Sequence, residues 1–344
     1  MPINAADSIS LALEHTKAQL FKPFRIGQWT RLAFVGMLAG ELGSQGCNRS
    51  NWNIPTHPGE VGPHVGLPGS LGVDLAVLAG FITVFIVGAV AIGIILMYVG
   101  SVMRFILFDS IITRECHIRA GWNRRLAPGW RYFVWKLAYV LLSLAIFAIL
   151  IGIPVAFAFA KGWLKDPRAH LGPLILGGIV LLLVFLAFAL VSGVILVLTK
   201  DFVVPQMALE NIGAMEGWRR LWLMMKAEKG AYAGYIGMKI VLAIAASILI
   251  GIAGVILGLV FVIPTAALGI LAVLTGKAAG WTWNAETITL AIVVGLILLA
   301  IFLYFVSLIS VPAIVFFPAY SIYFFASRYP QLSAVMYPGA PPPV

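Results

Sequence analysis

The sequence predicts an all-α polytopic transmembrane bundle of about six spans, arranged as three hairpins joined by cytoplasmic amphipathic linkers. Three observations carry this. The composition is 61% hydrophobic with only 10% charged residues and a mean hydropathy of +1.01, whereas a soluble domain carries about 25% charged residues. Several uncharged runs each exceed the roughly 20 residues needed to cross the hydrocarbon of a bilayer. The basic residues fall on one side of those runs.

Residues 1–22 contain Asp7, Glu14, Lys17 and Lys22 and no long apolar run, so no signal peptide is expected there. Residues 26–44 are read as the first span. Leu32–Leu42 is apolar apart from Glu41 but short, and the span would extend back through Trp29 to Ile26 with Arg31 snorkelling inward. The alternative is a half-helix dipping into the membrane. Residues 45–72 are rich in Gly, Pro and Asn and lack periodicity, which predicts an irregular outer loop.

The runs 75–103, 137–160, 171–199, 240–276 and 287–327 supply the remaining spans. Pro264 is expected to end or kink the fourth of these, leaving 265–275 at the outer interface or re-entrant. Pro312 and Pro318 should kink the last. Residues 1–327 form one transmembrane domain, and 328–344 a Pro-rich tail, extended from Tyr337 to Val344.

With the N-terminus inside, Lys17, Lys22, Arg25, Arg31, Arg104, Arg114, Arg119, Arg124, Arg125, Arg131, Lys136, Lys200, Arg219, Arg220, Lys226, Lys229, Lys239 and Arg328 are cytoplasmic. Those are 18 of 23 basic residues. By the positive-inside rule both termini are cytoplasmic, in a multi-pass protein of a bacterial inner membrane. The net charge of +10 then follows from topology rather than from nucleic-acid binding, for which no basic groove with stacking aromatics is present. Anionic headgroups at the cytoplasmic face are the expected partners, with a membrane-protein partner also expected. The segment Arg114–Lys136, basic and bearing Trp122, Trp130 and Trp135, is expected to lie along that surface. Cys47 and Cys116 fall on opposite faces and cannot pair within the chain.

A repeat underlies the hairpins. Asp7, Asp109 and Asp201 each stand near an inner boundary and lead to a tryptophan: Trp29, Trp122 with Trp130, and Trp218. The ascending helices share Leu150-Ile151-Gly152-Ile153 and Leu249-Ile250-Gly251-Ile252. Gly36-x-x-x-Gly40 and Gly254-x-x-x-Gly258 allow close helix packing.

The most distinctive stretch is Lys200-Asp201-Phe202-Val203-Val204-Pro205, continuing through Ala208-Leu209-Glu210-Asn211 to Gly217-Trp218-Arg219-Arg220. Pro205 should break the helix after Asp201. Met215–Met225 reads as a basic, aromatic interfacial helix. It serves as an orienting linker or as a docking or lipid-sensing surface. Together with Phe21-Lys22-Pro23-Phe24 and Trp29, this pattern resembles uncharacterised bacterial polytopic proteins related to the membrane domain of glycerophosphodiester phosphodiesterases. The resemblance implies a six-span helical unit. The soluble catalytic domain that some relatives carry is absent, so hydrolase activity does not follow.

Glu41 and Asp74, with Glu286 at an outer edge, are candidates because acids near a span are functional by default. Each is expected near an outer end, within reach of water. Cys47, His57, Glu60 and His64 share the outer loop but match no zinc spacing, and neither metal nor cofactor is expected. No His-Glu-x-x-His, Gly-x-Ser-x-Gly or phosphate-binding Gly-x-x-x-x-Gly-Lys occurs. The expected function is therefore non-catalytic: a structural or assembly component acting through lateral protein or lipid contacts. The alternative is a small-solute or ion transporter, against which stands the scarcity of polar groups within the spans.

Overall fold

The computed structural model describes residues 3–41, 75–163, 169–278, 280 and 284–337. It is helical throughout, with no strand among the described residues. Eleven helices occur in these segments: α1 (Asp7–Phe21), α2 (Ile26–Leu38), α3 (Leu75–Thr113), α4 (Ile118–Ala160), α5 (Leu171–Leu198), α6 (Val204–Glu210), α7 (Ala214–Ala227), α8 (Lys229–Ala278), α9 (Ala285–Ile309), α10 (Val311–Ala326) and α11 (Pro330–Met336). A single π-helical turn, Thr199–Val203, joins α5 to α6.

Two zones divide the molecule. In one, five helical stretches are long and apolar enough to cross a membrane, and the most apolar part of each contains no buried residue. Phe85 of α3, for example, is 78% exposed. So continuous an apolar surface is incompatible with water, and the protein is a multi-pass membrane protein. Helices α4 (43 residues) and α8 (50 residues) are about 65 and 75 Å long at 1.5 Å per residue. Both exceed the roughly 30 Å hydrocarbon thickness, so each crosses the bilayer and continues beyond it.

The second zone, the head, is where they continue to. It gathers α1, α2, the last turns of α3, the first turns of α4 and α8, and α6, α7, α10 and α11 around a buried aromatic core. Tyr235 stacks on Tyr320 at 5.2 Å and lies 4.6 Å from Phe324, while Phe202 meets Phe325 at 5.1 Å. Helix α10 is hydrophobic on all sides and buried almost throughout, as such a helix must be. Helix α1 buries a largely polar and small stripe instead, Ser8, Ala12, His15, Thr16 and Gln19, with Leu20 at its end. His15 Nδ1 lies 3.1 Å from the Tyr323 hydroxyl, and Gln19 donates to the Ser110 carbonyl at 2.9 Å.

Glycines set the closest approaches. A Cβ at Gly100 would lie 2.6 Å from the Leu38 carbonyl oxygen, and one at Gly129 2.7 Å from Val102 Cγ2. These positions seat α2 and α4 against α3. Gly36 meets Ile314 of α10, whereas Gly254 and Gly258 face open space. The hairpin partners α4 and α5 touch through Phe147 and Phe185, and α8 and α9 through Phe261 and Phe302.

Four expectations are revised. Helix α2 has 13 residues, about 20 Å, too short to span; residues 42–44 of the expected first span lie outside the described residues. Pro264 lies inside α8 without ending it, because neighbouring backbone in membrane helices adjusts around a missing donor, and 265–275 simply continues that helix. Pro205 does not stop the chain either. The π-turn before it lets α5 run on into α6, absorbing the lost N–H and the ring. Residues 118–136 are the base of α4 rather than a separate surface linker. The outer loop around Cys47, with Asp74, His57, Glu60 and His64, and residues 338–344 of the tail also lie outside the described residues.

Candidate functional site

Where the spans enter the head, the chain assembles a cluster of buried charges. Its first member follows α2. Gly40 adopts φ +79°, its N–H donates to the Met37 carbonyl at 3.1 Å, and the Glu41 N–H donates to the Gly36 carbonyl at 2.9 Å. This pair of bonds is a Schellman turn, which requires the left-handed conformation that glycine adopts without penalty. The turn tucks Glu41 under the helix, where it is fully buried.

The Glu41 carboxylate accepts from Arg104 Nη1 of α3 and from Lys200 Nζ of the π-turn. Arg104 Nη2 also donates to the Ala39 carbonyl at 2.7 Å. That carbonyl closes the negative end of α2, so the guanidinium meets the helix dipole as well as the carboxylate. Next to Lys200, Asp201 accepts from the Tyr235 hydroxyl at 2.9 Å and from Lys239 Nζ, both on α8. The cluster thus ties α2, α3, α5 and α8 together at one level.

A cavity of about 230 Å³ opens beside it. Arg104, Tyr132, Lys136, Lys200 and Lys239 line its polar side; Leu196, Val197 and Ala243 line the side facing the spans. Among the described residues, four cations therefore face two carboxylates. Lys136 of α4 is half-buried and has no hydrogen-bond or ion-pair partner among the described residues.

Of the residues singled out from sequence, Glu41 and Asp201 belong to this cluster, together with Lys200, which opens the distinctive stretch; Asp74 lies outside the described residues. Asp109 instead pairs bidentately with Arg125 (Nε to Oδ2 2.7 Å, Nη2 to Oδ1 2.5 Å), and Arg125 Nη1 donates to the Ala208 carbonyl at 2.6 Å. This clamp holds α3, α4 and α6. Pro205 is buried in the first turn of α6. Trp218 Nε1 donates to Thr199 Oγ1 at 3.1 Å, closing α7 onto the π-turn. Arg219 pairs with Glu216 on an exposed face at 2.9 Å, and Arg220 bridges Glu216 and Glu210. The Tyr329 hydroxyl also donates to Glu210; burial first, and then this bond, raise the phenol above its ordinary range. Glu286 is exposed at the start of α9. Glu41 does not reach water at an outer edge as expected, being enclosed by two cations.

From sequence, Arg104, Lys136 and Lys239 are topology markers alone, and Lys200 is in addition the first residue of the distinctive stretch. A sharper signal was available, because Arg104 and Lys239 are flanked on both sides by apolar residues. Such cations need a counter-charge wherever the chain places them. Among the described residues no group of three or more His, Cys, Asp or Glu is placed to hold a metal ion.

The chain belongs to a family of unknown function, DUF7544, which it matches over residues 3–335. No match was found among curated proteins or among solved structures.

Proposed function

For a member of a family whose function is open, we propose a non-catalytic role: a structural or assembly component of a bacterial inner membrane, with its head and both termini on the cytoplasmic side. It works through lateral contacts made by its spanning helices. The observation that carries this reading is that the spans do not close on one another. The most apolar stretch of each has no residue buried within the chain, and the paired helices α4 and α5 meet over a short stretch around Phe147 and Phe185. Surfaces of this kind are left for neighbouring protein or lipid. The basic residues assigned to the cytoplasm sit on the head or at the head ends of the long helices, which supports the orientation.

The transporter alternative needs polar groups at several depths of the spans. Thr83, Thr199, Thr265 and Thr275 each donate back to a carbonyl three or four residues earlier, and Ser101, Ser247 and Ser307 do likewise. These hydroxyls are satisfied by their own helices. A photo-crosslinker at Leu249, which is 68% exposed on α8, tests the proposal in native membranes. A discrete protein adduct, recovered at constant stoichiometry on purification in mild detergent, is the expected result. A monomer without adducts that supports saturable solute flux in liposomes would overturn it in favour of transport.

A further inference from the structure

We propose that the cavity between Arg104, Lys136, Lys200 and Lys239 holds the phosphate of an anionic phospholipid whose acyl chains lie along α5 and α8. The inference rests on the lateral-contact reading only in placing the spans in lipid, and it names the ligand and the seat.

Four features argue for it together. The first is charge: among the described residues four cations line the cavity against the two carboxylates of Glu41 and Asp201, an excess of two positive charges that a phosphate oxyanion would balance. The second is that the local carboxylates are already engaged. Glu41 accepts from Arg104 and Lys200, and Asp201 from Tyr235 and Lys239. Lys136 faces the same space with no acceptor among the described residues. A half-buried ammonium without an acceptor is unfavourable and calls for an anion.

The third is position. One wall of the cavity is Leu196, Val197 and Ala243, the last apolar turns of two spans, and Ile240, Val241 and Ile244 beside it are more than half exposed. Phosphate and acyl chains would meet at this boundary: a phospholipid presents both, a free anion only the first. The fourth is donor chemistry: Tyr132 and three ammonium groups beside a guanidinium supply several donors to one oxyanion. The shared chemistry is a phosphate oxyanion, which a soluble phosphate also presents, so the test must separate the two sources.

The full-length protein is reconstituted in nanodiscs of phosphatidylcholine alone and of phosphatidylcholine mixed equally with phosphatidylglycerol. Thermal unfolding is followed by tryptophan fluorescence, and bound lipid by native mass spectrometry. Phosphatidylglycerol should raise the unfolding midpoint and remain bound. Lys136→Met, which breaks no ion pair, should weaken retention of that lipid about fivefold, the effect of one basic residue near an anionic lipid. Arg124→Gln, exposed on the head away from the cavity, should leave retention unchanged. Equal retention by wild type and Lys136→Met, or no preference for phosphatidylglycerol, would overturn the assignment. Stabilisation by inorganic phosphate in detergent without any effect of phosphatidylglycerol would overturn the lipid source. These readouts do not depend on a crosslinked neighbour, so the inference and the proposed function can fail separately.

Discussion

Substituting Glu41 by Gln removes the carboxylate that Arg104 and Lys200 share. Glu41 is fully buried, and the side chains of Arg104 and Lys200 are 10% and 12% exposed. Little of these side chains is open to bulk water. Breaking a buried pair by removing one partner costs about 3–5 kcal/mol, because the remaining charge stays desolvated. Glutamine keeps the shape and can still accept from one cation, which places the expected loss near the low end, about 3 kcal/mol. The assay is equilibrium unfolding of the full-length chain in detergent, followed by tryptophan fluorescence. The double variant Glu41→Gln with Arg104→Met removes the stranded guanidinium as well. Its loss should therefore be smaller than the sum of the single losses by about 1–3 kcal/mol. Glu286→Gln, exposed at the far end of the spans, should stay within about 0.5 kcal/mol of wild type. If Glu41→Gln also stays within that margin, or if the two single losses simply add, Glu41 is not the counter-charge that binds α2, α3 and α5.

Gly100→Ala would press a methyl group onto the Leu38 carbonyl, 2.6 Å from the new Cβ; the expected loss is about 1–3 kcal/mol, with protease sensitivity appearing at the end of α2. His15 is buried, and its imidazole pKa is lowered from the ordinary 6.5 by burial first and then by Arg114. The unfolded chain therefore binds the extra proton near pH 6.5 while the folded chain resists it, so stability should fall as the pH drops below about 6.5. A His15→Gln variant should flatten that fall, and an unchanged pH profile would refute the role of His15. Cys116 is buried, and burial raises its thiol pKa. It should escape impermeant thiol reagents on either side of the membrane, so its silence says nothing of topology. Met215→Cys, at a position 74% exposed on α7, should be protected in intact cells and react after permeabilisation; labelling in intact cells would reverse the proposed orientation.

The long spans were legible because their signal is length and polarity, which need no tertiary information. The ends were harder. Uncharged runs locate the apolar part of α4 but not its first five turns, since Ile118–Lys136 is as basic and aromatic as an interfacial linker yet continues the same helix. Prolines misled in the same way: Pro205 and Pro264 look like stops, and in this chain the neighbouring backbone adjusts around both. Helix α1 is legible from sequence only as an amphipathic stretch after Asp7, because Ser8, His15, Thr16 and Gln19 share its buried face with Ala12 and Leu20. Of the cluster, Glu41 and Asp201 stood out as acids near spans, but their partners lie 63, 159 and 38 residues away in the chain. No local spacing rule reaches that far.

The π-turn at Thr199–Val203 carries one residue more than an α-helix would place there. Deleting one residue of the turn would let an ordinary α-helix form, with its backbone hydrogen bonds intact and the rod from α5 to α6 unbroken. A π-turn of five residues rotates and rises about as far as an α-helix of one residue fewer, so α6 would keep its place relative to α5. What the deletion would remove is the bulge itself, on which Lys200 and Asp201 sit, the first reaching Glu41 and the second Tyr235 and Lys239. The surplus residue works as a blister on the rod: it turns two adjacent charges toward partners on different helices while the apolar spirals of α5 and α6 stay in step.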